Sequence, residues 1–296
     1  MQNPVVALSG ASVMTEILMI LLKVSVVLTL VSIGAGISPT DLGYLWRRPG
    51  LLLRSLLAMY LLVPLIAFAL VRILPIQPGV RAALLVLAVS SGAPLLPKKL
   101  KKLNSQQYIF SLLITSSLIA IVVVPLWVAL LSAYYEVAVE LPLSTVALAI
   151  AKAILLPIAI GMVLHAIFPV WSERLSDRFI AIADALLLTF GIILLAIHWQ
   201  LLREIGWADV LALAALMIFA LAIGQLLGGP KRDDRTALAI ACATRHVGVA
   251  LIVAAEFVGV RTAVLIVAYF LTVLLISGCY LTWRRKQFTS PKASIQ

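Results

Sequence analysis

The stretch RTALAIACATRHVGVALIVAAEF, residues 235–257, decides the fold. It consists of two apolar helical halves separated by Thr244-Arg245-His246, with Gly248 opening the second half. An arginine at the centre of about 20 otherwise membrane-compatible residues costs roughly 2.5–3.5 kcal/mol to insert. A chain keeps such a group where it faces a cavity, a partner or a broken backbone. Discontinuous membrane helices that meet an ion or anion at mid-depth are characteristic of secondary transporters.

The rest of the chain supplies the membrane protein around it. Of 296 residues, 63% are hydrophobic, and the mean hydropathy is +1.14, far outside the soluble globular range. Apolar runs long enough to cross a core of about 30 Å predict nine spans near 14–37, 50–73, 80–97, 105–131, 144–166, 178–198, 207–228, 234–257 and 261–283. This is an all-α polytopic membrane protein, with its third and eighth spans interrupted. The first 13 residues lack the basic region of a signal peptide, and the run from Met14 is too long for a signal core. The net charge of +11 does not point to nucleic acid, because the basic residues form short clusters between spans, as topology anchors touching anionic lipid do. Cys242 and Cys279 both lie in apolar helices and read as small packing residues. No HExxH, no metal-spaced His/Cys cluster and no nucleophile with an assignable base is present, so neither an enzyme nor a metal or cofactor is expected.

Basic residues set the orientation. One series of connections carries Arg47-Arg48, Lys98-Lys99, Lys101-Lys102, Arg174, Arg178 and Lys231-Arg232, with the tail Arg284-Arg285-Lys286 on the same side. The alternate connections hold only Arg72, Arg81, Arg203 and Arg261, with Glu136 and Glu140 among them. The positive-inside rule then predicts an inner-membrane protein with its N-terminus outside and a cytoplasmic tail over 285–296.

An internal echo points to inverted repeats. Arg81-Ala82-Ala83-Leu84 opens the third span and Arg235-Thr236-Ala237-Leu238 the eighth, which places Ser90-Ser91-Gly92 opposite Thr244-Arg245-His246. One transmembrane domain over 1–296 would hold a first repeat near 14–131 and a second near 144–284. Pro94 and Pro97 cannot continue a straight third helix, each costing about 3 kcal/mol in a helix interior. Where two broken helices cross, carbonyl ends require a cation and N–H ends accept an anion.

The sequence carries its own cations there: Arg245 in the second break, and Lys98 just past Pro97. Arginine stays protonated and offers five donors, whereas a desolvated lysine can lose its proton. The candidate crossing and substrate site comprises Ser90, Ser91, Lys98, Ser111, Thr115, Thr244, Arg245 and His246. Ser111 and Thr115, four apart, share one helix face. Plainer roles stand beside these. Lys98 begins the run KKLKK, which suits a solvated face. Arg245 can be a purely structural cap, and His246 a packing residue. Membrane hydroxyls often bond their own backbone.

Two further stretches carry a family resemblance. IGAGISPTDLGYLWRRPGLLLRSLLAMYLLVPLIAFAL at 33–70 resembles the early region of the bile acid:sodium symporter family, and AKAILLPIAIGMVLH at 151–165 is similar to that family's lysine-to-LLP-to-histidine helix. The resemblance implies inverted five-helix repeats, a panel domain and a core domain with two crossed, broken helices. It also implies sodium-driven, alternating-access transport of organic anions; members lacking the first helix would have nine spans. Where the family places sodium-binding side chains, this chain has Ala241, Arg245, His246, Pro97, Lys98 and Met59, and only Ser111 and Thr115 keep matching hydroxyls. Two like unit charges about 4 Å apart repel by roughly 4 kcal/mol at an effective dielectric of 20, so a sodium ion beside these cations is disfavoured. The sequence thus predicts a sodium-independent transporter of a small organic anion. The alternatives are a sodium- or proton-coupled symporter of the same fold, with Lys98 titrating, and a passive anion channel or membrane receptor.

Overall fold

The computed structural model describes residues 4–36, 43–90, 105–135, 143–246, 249–251, 254 and 260–289. Among the sequence-derived site residues, Ser91 and Lys98 lie outside the described residues. The elements are α1 (Pro4–Ala35), α2 (Pro49–Ile73), α3 (Pro78–Val89), α4 (Gln106–Tyr135), α5 (Leu143–Ile167), α6 (Pro169–Ile197), the short α7 (Trp199–Arg203), α8 (Trp207–Leu227), α9 (Arg232–Thr244) and α10 (Val260–Thr289). No strand occurs among the described residues. Among the described residues, seven helices are long and apolar enough to cross a membrane, while α3 and α9, within the predicted third and eighth spans, are shorter.

Proline sets several starts: α2, α3 and α6 each carry one in the first turn, where a missing N–H costs no helical bond. Inside α2, proline has a second effect. The turn Ala58–Leu62 is π-helical, and Val63 N–H reaches back to Ala58 O instead of Met59 O. One residue on, Pro64 has no N–H to give to Tyr60 O. Two consecutive carbonyls in mid-helix are thereby released for other donors.

Packing divides by glycine. The first helix packs on α5 and α6, whereas α9 packs chiefly on α8. A Cβ on Gly34 would lie 2.2 Å from Ile158 O, and one on Gly161 2.0 Å from Val31 O, so the backbones of α1 and α5 touch directly there. The α8–α9 pair is as close: a Cβ on Gly224 would stand 2.4 Å from Ala239 Cα. Small residues are how membrane helices gain van der Waals contact where no hydrophobic force separates protein from lipid. The turn between them uses Gly229 at φ 83°, a backbone conformation that costs glycine little.

Hydrogen bonds fix which helix ends lie together. At one end, Asp209 accepts from Gln77 N (2.9 Å) and from Gly206 N (2.9 Å), joining the starts of α3 and α8. At the other, Ser105 Oγ donates to Asp234 Oδ1 (2.6 Å), and Arg235 Nε donates to Gly229 O (2.6 Å). Helices α3 and α9 therefore run into the bundle from opposite ends. Asp209→Ala should lower the thermal midpoint clearly, since it removes two bonds to a buried charge worth about 1.5–3 kcal/mol each. Asp209→Asn, which keeps an acceptor, should lose less; equal midpoints for wild type and Asp209→Ala in detergent would disprove the assignment.

Candidate transport site at the helix crossing

The two short helices meet end to end. Ser90 ends α3, about 20 Å from Gln77 at 1.5 Å per residue. Thr244 ends α9, about 20 Å from Lys231 by the same rise. Between them, His246 N donates to Ser90 O at 2.9 Å. The junction thus lies near the middle of a hydrocarbon core of about 30 Å. Both helices run toward it, so both present their carbonyl ends, each equivalent to about half a negative charge.

Arg245 is the cation at that point. It follows the last residue of α9 and is 1% exposed, one of the largest fully buried side chains. Its Nη1 donates to Met59 O at 3.1 Å, one of the carbonyls released by the π-turn of α2. Trp127 Nε1 takes the other, Tyr60 O, at 2.9 Å. The polar neighbours of the guanidinium include Cys242, Tyr60 and Tyr269. Tyr269 Oη donates to Ala243 O at 3.1 Å, and Thr244 Oγ1 to Ile240 O at 2.8 Å, so the end of α9 is capped from several sides. Arg245 itself sits at φ 47°, ψ 161°, the one positive-φ residue other than glycine among the described residues. Such a conformation costs about 1–3 kcal/mol and persists where the surroundings over-determine it.

His246 begins the next helical segment. Its carbonyl accepts from Ala250 N (3.0 Å), and its Nδ1 accepts from Val249 N (3.3 Å), the bonding of an N-cap. With Nδ1 as acceptor, the proton of a neutral imidazole resides on Nε2. That Nε2 is buried with no hydrogen-bond partner among the described residues, and the same holds for Ser90 Oγ.

The structure brings Ser90, Thr244, Arg245 and His246 together. Thr115 is buried on α4 about 15 Å from Ser105, and Arg245 follows Asp234 by about 16 Å along α9; the Ser105–Asp234 bond therefore sets them at similar depth. Ser111 lies about one turn shallower, where its Oγ accepts from Leu45 N at 3.0 Å. Thr244 bonds its own helix, the plainer role for a membrane hydroxyl. Sequence reasoning reached position 59 through the family resemblance alone, without the role of its carbonyl, and missed Tyr269 and Trp127 as parts of this junction. A carbonyl leaves no side-chain signature, although Pro64, four residues after Tyr60, marks one that loses its helical donor.

Long apolar helices, with two short ones abutting at mid-depth around a buried cation, define a polytopic membrane protein built as secondary transporters are. The chain belongs to the Sodium Bile acid symporter family, whose model matches residues 23–205, more than half of its length. It is a multi-pass membrane transporter of the bile acid symporter type; members of the family are transporters of small organic anions, not enzymes. The match takes in α3 and stops before α9, the helix that leads into Arg245. No curated protein matches the chain.

Proposed function

We propose that this transporter carries a small organic anion across the inner membrane by alternating access and without bound sodium. The observation that supports this reading is Arg245, a permanent cation at the joined carbonyl ends of α3 and α9, with its head group on Met59 O. In the family resemblance that position belongs to a glutamine which helps to hold sodium. Here a tethered guanidinium takes the role of the ion, with Lys98 adding charge from the sequence side. The substrate's negative group would meet Ser90 Oγ and His246 Nε2, with Thr115 lining the same depth. In this reading α1, α5 and α6 form the panel, the remaining helices form the core, and the basic end holding Arg47, Arg48, Lys231 and Arg232 faces the cytoplasm.

The test is thermal unfolding of purified protein in sodium versus potassium chloride at matched ionic strength, followed by a panel of carboxylates and sulfonates. A ligand at about 100 Kd should add roughly 2.7 kcal/mol of stability. The expected result is identical midpoints in the two salts and a rise with one class of anion. That class should then enter proteoliposomes at the same rate with either cation. A midpoint raised strongly by sodium alone would overturn the proposal.

A further inference from the structure

The register of α2 decides which donor reaches Met59 O. In a regular α-helix that carbonyl would accept from Val63 N. In the π-turn Ala58–Leu62 the Val63 N–H goes to Ala58 O instead, and the next donor in line would be residue 64, a proline without an N–H. Met59 O thus has a donor within its own helix in one register and none in the other. In the second it accepts from Arg245 Nη1 at 3.1 Å. Tyr60, buried inside the turn, is bonded to α4 from both ends. Its carbonyl accepts from Trp127 Nε1 at 2.9 Å, and its hydroxyl donates to Ser116 O. Ser116 and Trp127 lie about 16 Å apart along α4 at 1.5 Å per residue, so the two bonds fix Tyr60 in rotation and in translation. A change of register would move the two halves of α2 against each other by about 1.5 Å and 100°, and a residue tied at both ends resists it. Met59 C=O and Tyr60 N also share one peptide plane, so holding Tyr60 holds the direction of that carbonyl.

We propose that Tyr60 is a positioning residue for the helix crossing: its two bonds to α4 hold α2 in the π register, the one that directs Met59 O to Arg245. Pro64 completes the device. Lacking an N–H, it can reclaim neither Met59 O in the π register nor Tyr60 O in the α register. Met59, Val63 and Pro64 are all buried, so the choice of donor is made inside the bundle. The inference rests on the reading of Arg245 as the resident cation of the crossing, and the two fail separately. The salt comparison tests the cation against sodium, whereas the experiment below tests the bond to Met59 O with no substrate present.

The test is a double-mutant cycle on thermal midpoints of the full-length protein in detergent, with no ligand added. Pro64→Ala restores an N–H and gives Met59 O a donor within its own helix in either register: Val63 N in the α form, residue 64 in the π form. Arg245→Ala should lower the wild-type midpoint by several degrees, and the Pro64→Ala midpoint by about half as much or less. Tyr60→Phe, which removes one oxygen, should shrink the cost of Arg245→Ala in the same direction. Ser55→Ala is the control. Its hydroxyl bonds Tyr108 Oη at 2.9 Å one turn before the π-turn, and its loss should leave that cost unchanged. Arg245→Gln replaces Arg245→Ala in every arm if the alanine variant does not fold. An equal cost in wild type, Pro64→Ala and Tyr60→Phe overturns the proposal. A cost reduced in Pro64→Ala alone leaves the register to the proline and overturns the role of Tyr60.

Discussion

Arg245→Ala should abolish transport in proteoliposomes while leaving a folded protein of reduced stability. The side chain donates to Met59 O from a fully buried position. Its removal takes a charged donor away from that carbonyl in the bundle interior, at a cost of about 1–3 kcal/mol. It also leaves two carbonyl-terminated helices facing each other without a cation, the arrangement that broken membrane helices avoid. Two companion variants separate structure from function. Arg245→Gly relieves the strain of φ 47°, so its midpoint should exceed that of Arg245→Ala while transport stays absent. Arg245→Lys keeps a charge but loses the planar fork and part of the reach to Met59 O, and should transport slowly. Transport at the wild-type rate in Arg245→Ala would refute the tethered-cation proposal. Because arginine does not deprotonate in this range, its contribution to the rate should be flat with pH.

Gly161→Ala should have the largest effect on stability of the glycine-to-alanine changes among the described residues. The new Cβ would stand 2.0 Å from Val31 O and 2.9 Å from Gly34 Cα, both backbone atoms that cannot swing aside. The helices must then separate, and overpacking of this kind costs about 3 kcal/mol at the upper end of its range. Gly34→Ala, at 2.2 Å from Ile158 O, should behave alike. Gly50→Ala and Gly278→Ala supply the controls, since a Cβ at either meets nothing within 4 Å. Thermal midpoints in detergent give the comparison, and a Gly161→Ala midpoint equal to that of Gly278→Ala would disprove the close backbone contact.

Much of this architecture was legible in the chain because membrane insertion makes each violation costly. An arginine amid apolar residues had to mark a break, and the helix does end at Thr244, beside it. Arg81 and Arg235, which open the short echo, each lie three residues into a short helix, and the two helices run in from opposite ends. What stayed hidden depends on partners distant in sequence. Nothing local to Asp209 reveals that it accepts from Gln77, 132 residues away. Ser111 and Thr115 share a helix face, yet only the fold shows that Ser111 meets Leu45. Proline was ambiguous for a related reason: Pro125 and Pro157 lie inside continuous helices, whereas Pro64 follows a π-helical turn. A carbonyl freed by proline becomes a site element only when some other chain segment arrives with a donor.

The bond between His246 N and Ser90 O makes α3 and α9 one mechanical element. Sliding either helix past the other would leave a donor and an acceptor bare in a medium where each costs several kcal/mol. A hinge placed at the junction would pay that toll in every cycle. In the proposed alternating-access cycle, motion is therefore cheapest if the joined pair travels as a rigid body together with the part of α2 that Arg245 holds through Met59 O, and if other helices do the yielding.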